Sequence, residues 1–215
     1  METAEEKAAR KAGNVEKDPH SPLSFRHFVL GAIAIFFYVG VEVGIPNTAN
    51  LYMSNLAEVG PAIAGTLIGF YWFLMMCGRL LGGVVGGKVS SRVQVSFLAT
   101  LGIALLLAAM FSPVKMVTLF GYSFPLSMAF MVAVGLCTSV MWGGIFNMAA
   151  EGLGKYVPMG SGIFMAMVFG GILIPVQGFL ADKVGILNSY WLSIALLAYV
   201  LVYALVLSIP AKRAD

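Results

Sequence analysis

Six apolar runs, at 27–52, 61–86, 93–112, 122–148, 160–181 and 189–209, each reach the roughly 20 residues that an α-helix needs to cross the hydrocarbon of a bilayer. In lipid every backbone N–H and C=O must find a partner within the protein, and single segments of this length achieve that as helices. The runs therefore predict an all-α membrane protein with six transmembrane helices. Composition agrees, because 60% of the 215 residues are hydrophobic and 11% charged, with a mean hydropathy of +0.91, which does not describe a soluble domain. The expected organisation is a disordered cytoplasmic tail over 1–25, a six-helix transmembrane domain over 26–209 and a second cytoplasmic tail over 210–215.

Charge fixes the expected orientation. With the N-terminus inside, Lys7, Arg10, Lys11, Lys17, Arg26, Arg79, Lys88, Arg92, Lys155, Lys212 and Arg213 fall on the cytoplasmic side, and of the 13 Lys and Arg only Lys115 and Lys183 fall outside. That is a positive-inside bias, and it places both termini in the cytoplasm of a multi-pass protein of the cell (inner) membrane. The net charge of +3 does not point to nucleic acid, since the basic residues edge the apolar runs and form no single face. Met1 to Pro22 is polar and can bury almost nothing. The first apolar run is too long for a cleaved secretory signal and is read as retained. Cys77 and Cys137 lie inside spans two and four and read as small packing residues.

Glu42 lies within the first span. An ionisable side chain at that depth costs on the order of 3 kcal/mol or more, so it faces a partner or a cavity and marks a substrate or proton pathway. Pro46, four residues on, lacks the N–H that would bond the Glu42 carbonyl, which frees a backbone acceptor beside the carboxylate. At about 100° per residue Tyr38, Glu42 and Asn50 share one arc, while Asn47 follows the proline and turns elsewhere. In span four the same arithmetic gathers Thr138, Ser139, Trp142, Gly143, Phe146 and Asn147 on one polar and aromatic half of the helix. Span five carries Gly170-Gly171, then Pro175, which frees the Gly171 carbonyl, and Gln177, an amide within the membrane.

Six spans divide naturally as a 3+3 inverted repeat, in which spans one and four are equivalent; transporters built this way bind substrate near the midplane on interrupted helices. Glycines four apart, at Gly40 and Gly44, Gly65 and Gly69, and Gly78, Gly82 and Gly86, predict close helix contacts.

The candidate binding or coupling set is therefore Glu42, Tyr38, Asn47, Asn50, Trp142, Asn147 and Gln177. All but Asn47 are set against a plainer alternative: a buried structural hydrogen bond or a helix contact for Glu42, helix pinning for Asn147 and Gln177, and interhelix packing for Tyr38, Asn50 and Trp142. Arg79 reads as a topology and loop-closing residue. The inventory offers no Ser/His/Asp or Cys/His arrangement, with His20 in the tail and His27 at a membrane edge, and no glycine-rich phosphate loop. Neither an enzyme nor a cofactor or metal is expected. One carboxylate, several amides and aromatic rings suit a neutral polyol, whose hydroxyls take the polar groups while a ring covers a sugar's apolar face.

Several blocks, in order, resemble the fucose permease-like branch of the major facilitator superfamily, the fucose/glucose/galactose:proton symporters. Phe37-Tyr38-Val39-Gly40-Val41-Glu42-Val43 is similar to its seventh helix, and Phe70-Tyr71-Trp72 with Gly78-Arg79-Leu80-Leu81-Gly82-Gly83 to its eighth. Ile145-Phe146, Gly152-Leu153-Gly154-Lys155, Gly160-Ser161, Gly170-Gly171, Pro175, Gln177-Gly178 and Ala181-Asp182 are similar to helices ten and eleven. Trp142-Gly143-Gly144 and Pro46-Asn47 depart from the family pattern. The resemblance implies the C-terminal six-helix half of a sugar transporter working by alternating access in the lipid bilayer, with sugar and proton as its cargo. It also implies a complementary N-terminal six-helix half, or a second copy of the chain, with the main proton-coupling carboxylates in the first half. The competing reading is a non-transporting membrane remnant or an assembly subunit.

Overall fold

The computed structural model describes residues 21–56, 59–113, 115–119 and 121–210. Most of the two expected tails, at 1–25 and 210–215, lies outside them. The helices are α1 (Arg26–Ser54), α2 (Gly60–Val85), α3 (Ser91–Phe111), α4 (Leu126–Thr138), α5 (Met141–Ala150), α6 (Val157–Ala166), α7 (Leu173–Val184) and α8 (Ile186–Val202). They make six spans long and apolar enough to cross a membrane: α1, α2, α3, α4 with α5, Gly154–Val184, which joins α6 to α7, and Ile186–Leu207, which contains α8.

The packing pattern is that of the inverted repeat. The first span lies against the fifth and sixth, and the fourth lies in the same way against the second and third; the third and sixth meet each other, as do the first and fourth. The first span is the most enclosed and the second and fifth are the least. Phe73, Leu80 and Leu81 on α2, with Met165, Phe169 and Phe179 on the fifth span, are left exposed.

Small residues set these seams, because without a hydrophobic drive between helices in lipid close backbone approach is what gains contact. A methyl group at Gly170 would fall on the Phe36 carbonyl, one at Gly40 on Leu173, and one at Gly135 on the Tyr71 carbonyl. Gly78 and Gly82 lie under Ser139 and Val140, while a methyl group at Gly65 or Gly69, though also four apart, would meet nothing within 4 Å among the described residues. The four-residue spacing thus marks real seams at two places and open surface at another.

Four local features differ from the run lengths. Helix α1 passes through Pro46 without ending. The fourth span breaks at Ser139–Val140, just before Trp142. Residues 122–125 are not its first turn: Tyr122–Pro125 pairs antiparallel with Met116–Leu119, and Gly121, at φ 83°, supplies the left-handed turn. An apolar run cannot distinguish a short aromatic strand from a first helical turn. The fifth span begins near Gly154 and tightens to a 3₁₀ helix over Met167–Ile172, around Gly170, which presses on α1.

Candidate functional site

The site is built where the first and fourth spans lose regularity and the second, a continuous helix, supplies the side chains that repair them. Pro46 removes the helical donor for the Glu42 carbonyl, and Tyr71 on α2 replaces it, its hydroxyl donating to that oxygen at 3.0 Å. The Tyr71 hydroxyl also lies 3.3 Å from Thr138 Oγ1. At the break in the fourth span two carbonyls receive side chains: Thr138 O accepts from the Tyr38 hydroxyl at 3.0 Å, and Ser139 O from Arg79 Nε at 3.3 Å.

Arg79 then closes the arrangement. Its Nη2 donates to Glu42 Oε1 at 2.9 Å, so the carboxylate of the first span has its counter-charge on the second. The two partners are unequal in exposure, with the Glu42 side chain 13% exposed and that of Arg79 54%. A charge inside a span is tolerable when paired or open to water. Here the carboxylate is paired and the guanidinium is both paired and open.

What it opens on is a cavity of about 390 Å³ between the second, third and fourth spans, within the usual range for small-molecule sites. Arg79, Ser91, Gln94, Ser139, Trp142 and Asn147 supply its polar and aromatic lining. The Trp142 ring stacks on Phe146 at 5.7 Å and 14°, and Phe164 meets both edge-on, which fixes the indole at the cavity wall. Asn147 donates from Nδ2 to Ser91 Oγ at 3.4 Å across the cavity floor. The groups suit a neutral polyhydroxy ligand: N–H donors from a guanidinium and amides, hydroxyls that donate and accept, and one indole face.

The expected residues divide among four places. Glu42, Trp142 and Asn147 gather at the cavity, the first through Arg79. Tyr38 lies wholly buried behind it, and its bond to Thr138 holds the first span to the fourth. Gln177, on the fifth span, is buried against Gly44 of the first, and its Nε2 has no hydrogen-bond partner among the described residues. Asn47 and Asn50 are exposed further along α1 and do not line the cavity; Asn47 donates back to the Val43 carbonyl at 2.9 Å. Ser91, Gln94, Tyr71 and above all Arg79 join the site without having been in the expected set. Arg79 had a readable signal, since it lies within the second apolar run and not beyond its end.

No family model matches the chain. It is 32% identical over 194 residues to a glucose/galactose transporter of Brucella abortus, covering 89% of this chain and 45% of that protein. To a candidate glucose/galactose transporter of Helicobacter pylori it is 32% identical over 196 residues, covering 88% and 46%. Among solved structures it superposes on the Escherichia coli fucose:proton symporter FucP with a TM-score of 0.75 at 18% identity, over 94% of this chain and 45% of that one. The major facilitator superfamily transporter FucP in its outward conformation gives 0.74 at 19% identity, over 83% and 42%. The chain spans about half the length of the curated relatives it matches. It is a six-helix half of the major facilitator superfamily fold and a relative of the bacterial glucose/galactose transporters.

Proposed function

We propose that the chain forms one wall, the C-terminal half, of a secondary transporter that carries a hexose or deoxyhexose across the cell membrane by alternating access, coupled to protons. The observation that carries this reading is the Glu42–Arg79 pair at the head of a polar cavity inside a membrane-spanning bundle. The pair and the cavity are electrically balanced, so a neutral sugar meets donors and acceptors without having to bring a counter-charge. In this reading Arg79 and Asn147 bond sugar hydroxyls, Trp142 covers a ring face, and Glu42 holds the guanidinium in place. Tyr38 and Tyr71 act as supports that keep the broken fourth span in register with the first.

The exposed apolar faces of the second and fifth spans support a complementary six-helix half as the other wall, and the end of the bundle carrying both termini is assigned to the cytoplasm. The glucose/galactose transport named for the relatives, and the proton coupling named for FucP, set the choice of cargo and ion. Their kinship, together with the missing catalytic constellation in the sequence, favours a transporter over an enzyme.

Proteoliposomes holding the chain with a complementary six-helix half are expected to accumulate labelled glucose or galactose under an inward proton gradient, and those holding the chain alone are not. Absence of uptake in both preparations would overturn the reading.

A further inference from the structure

Beyond the first cavity lies a second. Ser91 and Asn147 line both, so their hydrogen bond stands between the cavity under Arg79 and a further one of about 440 Å³, lined also by Ser90, Arg92, Met148 and Glu151. Ser90 and Arg92 stand at the start of α3 and Glu151 directly follows α5. The outer cavity therefore opens at the end of the bundle where the chain enters the first span and leaves the sixth.

Two opposite charges face each other there without closing. Arg92 Nη2 and Glu151 Oε2 are 3.7 Å apart, beyond a direct N–H···O bond, and both side chains are partly open, 36% and 57% exposed. Each is anchored elsewhere. Arg92 donates from Nε to Ser208 Oγ at 3.1 Å and from Nη2 to the Ser208 carbonyl at 3.5 Å, and the main-chain oxygen of Glu151 lies 2.7 Å from Nε2 of the buried His27. Held on separate spans, the guanidinium and carboxylate keep hydrogen-bond capacity that neither spends on the other. A gap of this size is one that a water or a hydroxyl bridges. A neutral diol satisfies both sides, one hydroxyl donating to the carboxylate and its neighbour accepting from the guanidinium, whereas a net cation or anion meets one like charge.

We infer that this outer cavity is a second sugar-holding site, specific for neutral vicinal hydroxyls, which a hexose occupies on its way to or from the cavity under Arg79. The inference rests on the sugar-transport reading above. Its site residues are Arg92 and Glu151, and the Ser91–Asn147 bond is the partition that the sugar passes.

The test uses the full chain in lipid nanodiscs, with Cys77→Ser and Cys137→Ala removing the native thiols. One reporter cysteine is placed in each cavity: Ala150→Cys in the outer and Gly143→Cys in the inner, where the glycine has open space around it. D-galactose is expected to slow labelling of both by a water-soluble thiol reagent several-fold. Glu151→Gln is expected to remove protection at position 150 and leave it at 143. Protection at 143 alone would overturn the second site and leave the transport reading standing; protection at neither would count against both. An Ala150→Cys thiol that does not react would show the outer cavity closed to water and overturn the inference. Stronger protection at 150 by glucuronate or glucosamine than by galactose would overturn the assignment to neutral sugars.

Discussion

The Tyr71 hydroxyl on the second span donates at 3.0 Å to the Glu42 carbonyl on the first, the oxygen whose helical partner Pro46 removes. A defect in one helix is thus repaired by a side chain from another, which is how a proline is accommodated inside a span. The same repair brings α2 close enough for Arg79, two turns further along, to reach the Glu42 carboxylate.

Tyr71→Phe leaves that carbonyl without a donor in a region of low water content. The expected loss of stability is about 1 kcal/mol, between the average intramembrane hydrogen bond and the penalty for an orphaned buried acceptor. Pro46→Ala restores the backbone N–H, so Tyr71→Phe should be less costly in that background than in the native one. Thermal unfolding of the four proteins in detergent measures the difference; equal losses in both backgrounds would dissociate Tyr71 from Pro46.

Glu42→Gln and Arg79→Gln each leave one member of the ion pair unmatched, and each is expected to lower the thermal midpoint. The double variant should lose less than the sum, with a coupling of about 1 kcal/mol, reduced from that of a fully buried pair because Arg79 is half open to solvent. Additive losses would mean that the two charges do not stabilise each other.

Gly170→Ala drives a methyl group into the Phe36 carbonyl, whereas Gly171→Ala, next in the chain, meets nothing within 4 Å. Overpacking of this kind costs about 1–3 kcal/mol, so Gly170→Ala is expected to lower the thermal midpoint sharply while Gly171→Ala leaves it nearly unchanged. Parallel melting curves on the two variants check the contrast.

Gln177→Met keeps the length of the side chain and removes an amide whose nitrogen is buried without a partner. Removing an unsatisfied polar group is expected to stabilise by about 1 kcal/mol. A fall in melting temperature would show that the amide makes a structural bond and return Gln177 to the role of a helix pin.

The six spans and their order were readable because length and apolarity alone decide whether a segment can cross a bilayer, and Glu42 with Pro46 was readable because both break a local rule. The wheel placed Tyr38 on the arc of Glu42 correctly but could not say what covers that arc, and the answer is Thr138. In sequence Arg79 reads as a topology residue, because a cation near the end of a run satisfies the positive-inside rule; its partner, Glu42, lies on another span, and no local pattern encodes that distance. An interruption of the fourth span is expected from its equivalence to the first, but its position at Ser139–Val140 is not legible, for a related reason. Thr, Ser and Val interrupt a helix only when other side chains, here Tyr38 and Arg79, take up its carbonyls. Gln177 looked like Asn147 in sequence, and only the packing of the fifth span on Gly44 separates a buried amide from a cavity-lining one.

The most direct test of the central claim, that the Glu42–Arg79 pair lines a sugar pathway, is galactose uptake by the completed transporter carrying Glu42→Gln. The expected result is loss of uptake while membrane insertion and folding persist. Unchanged uptake kinetics would contradict the account and remove Glu42 from the transport mechanism.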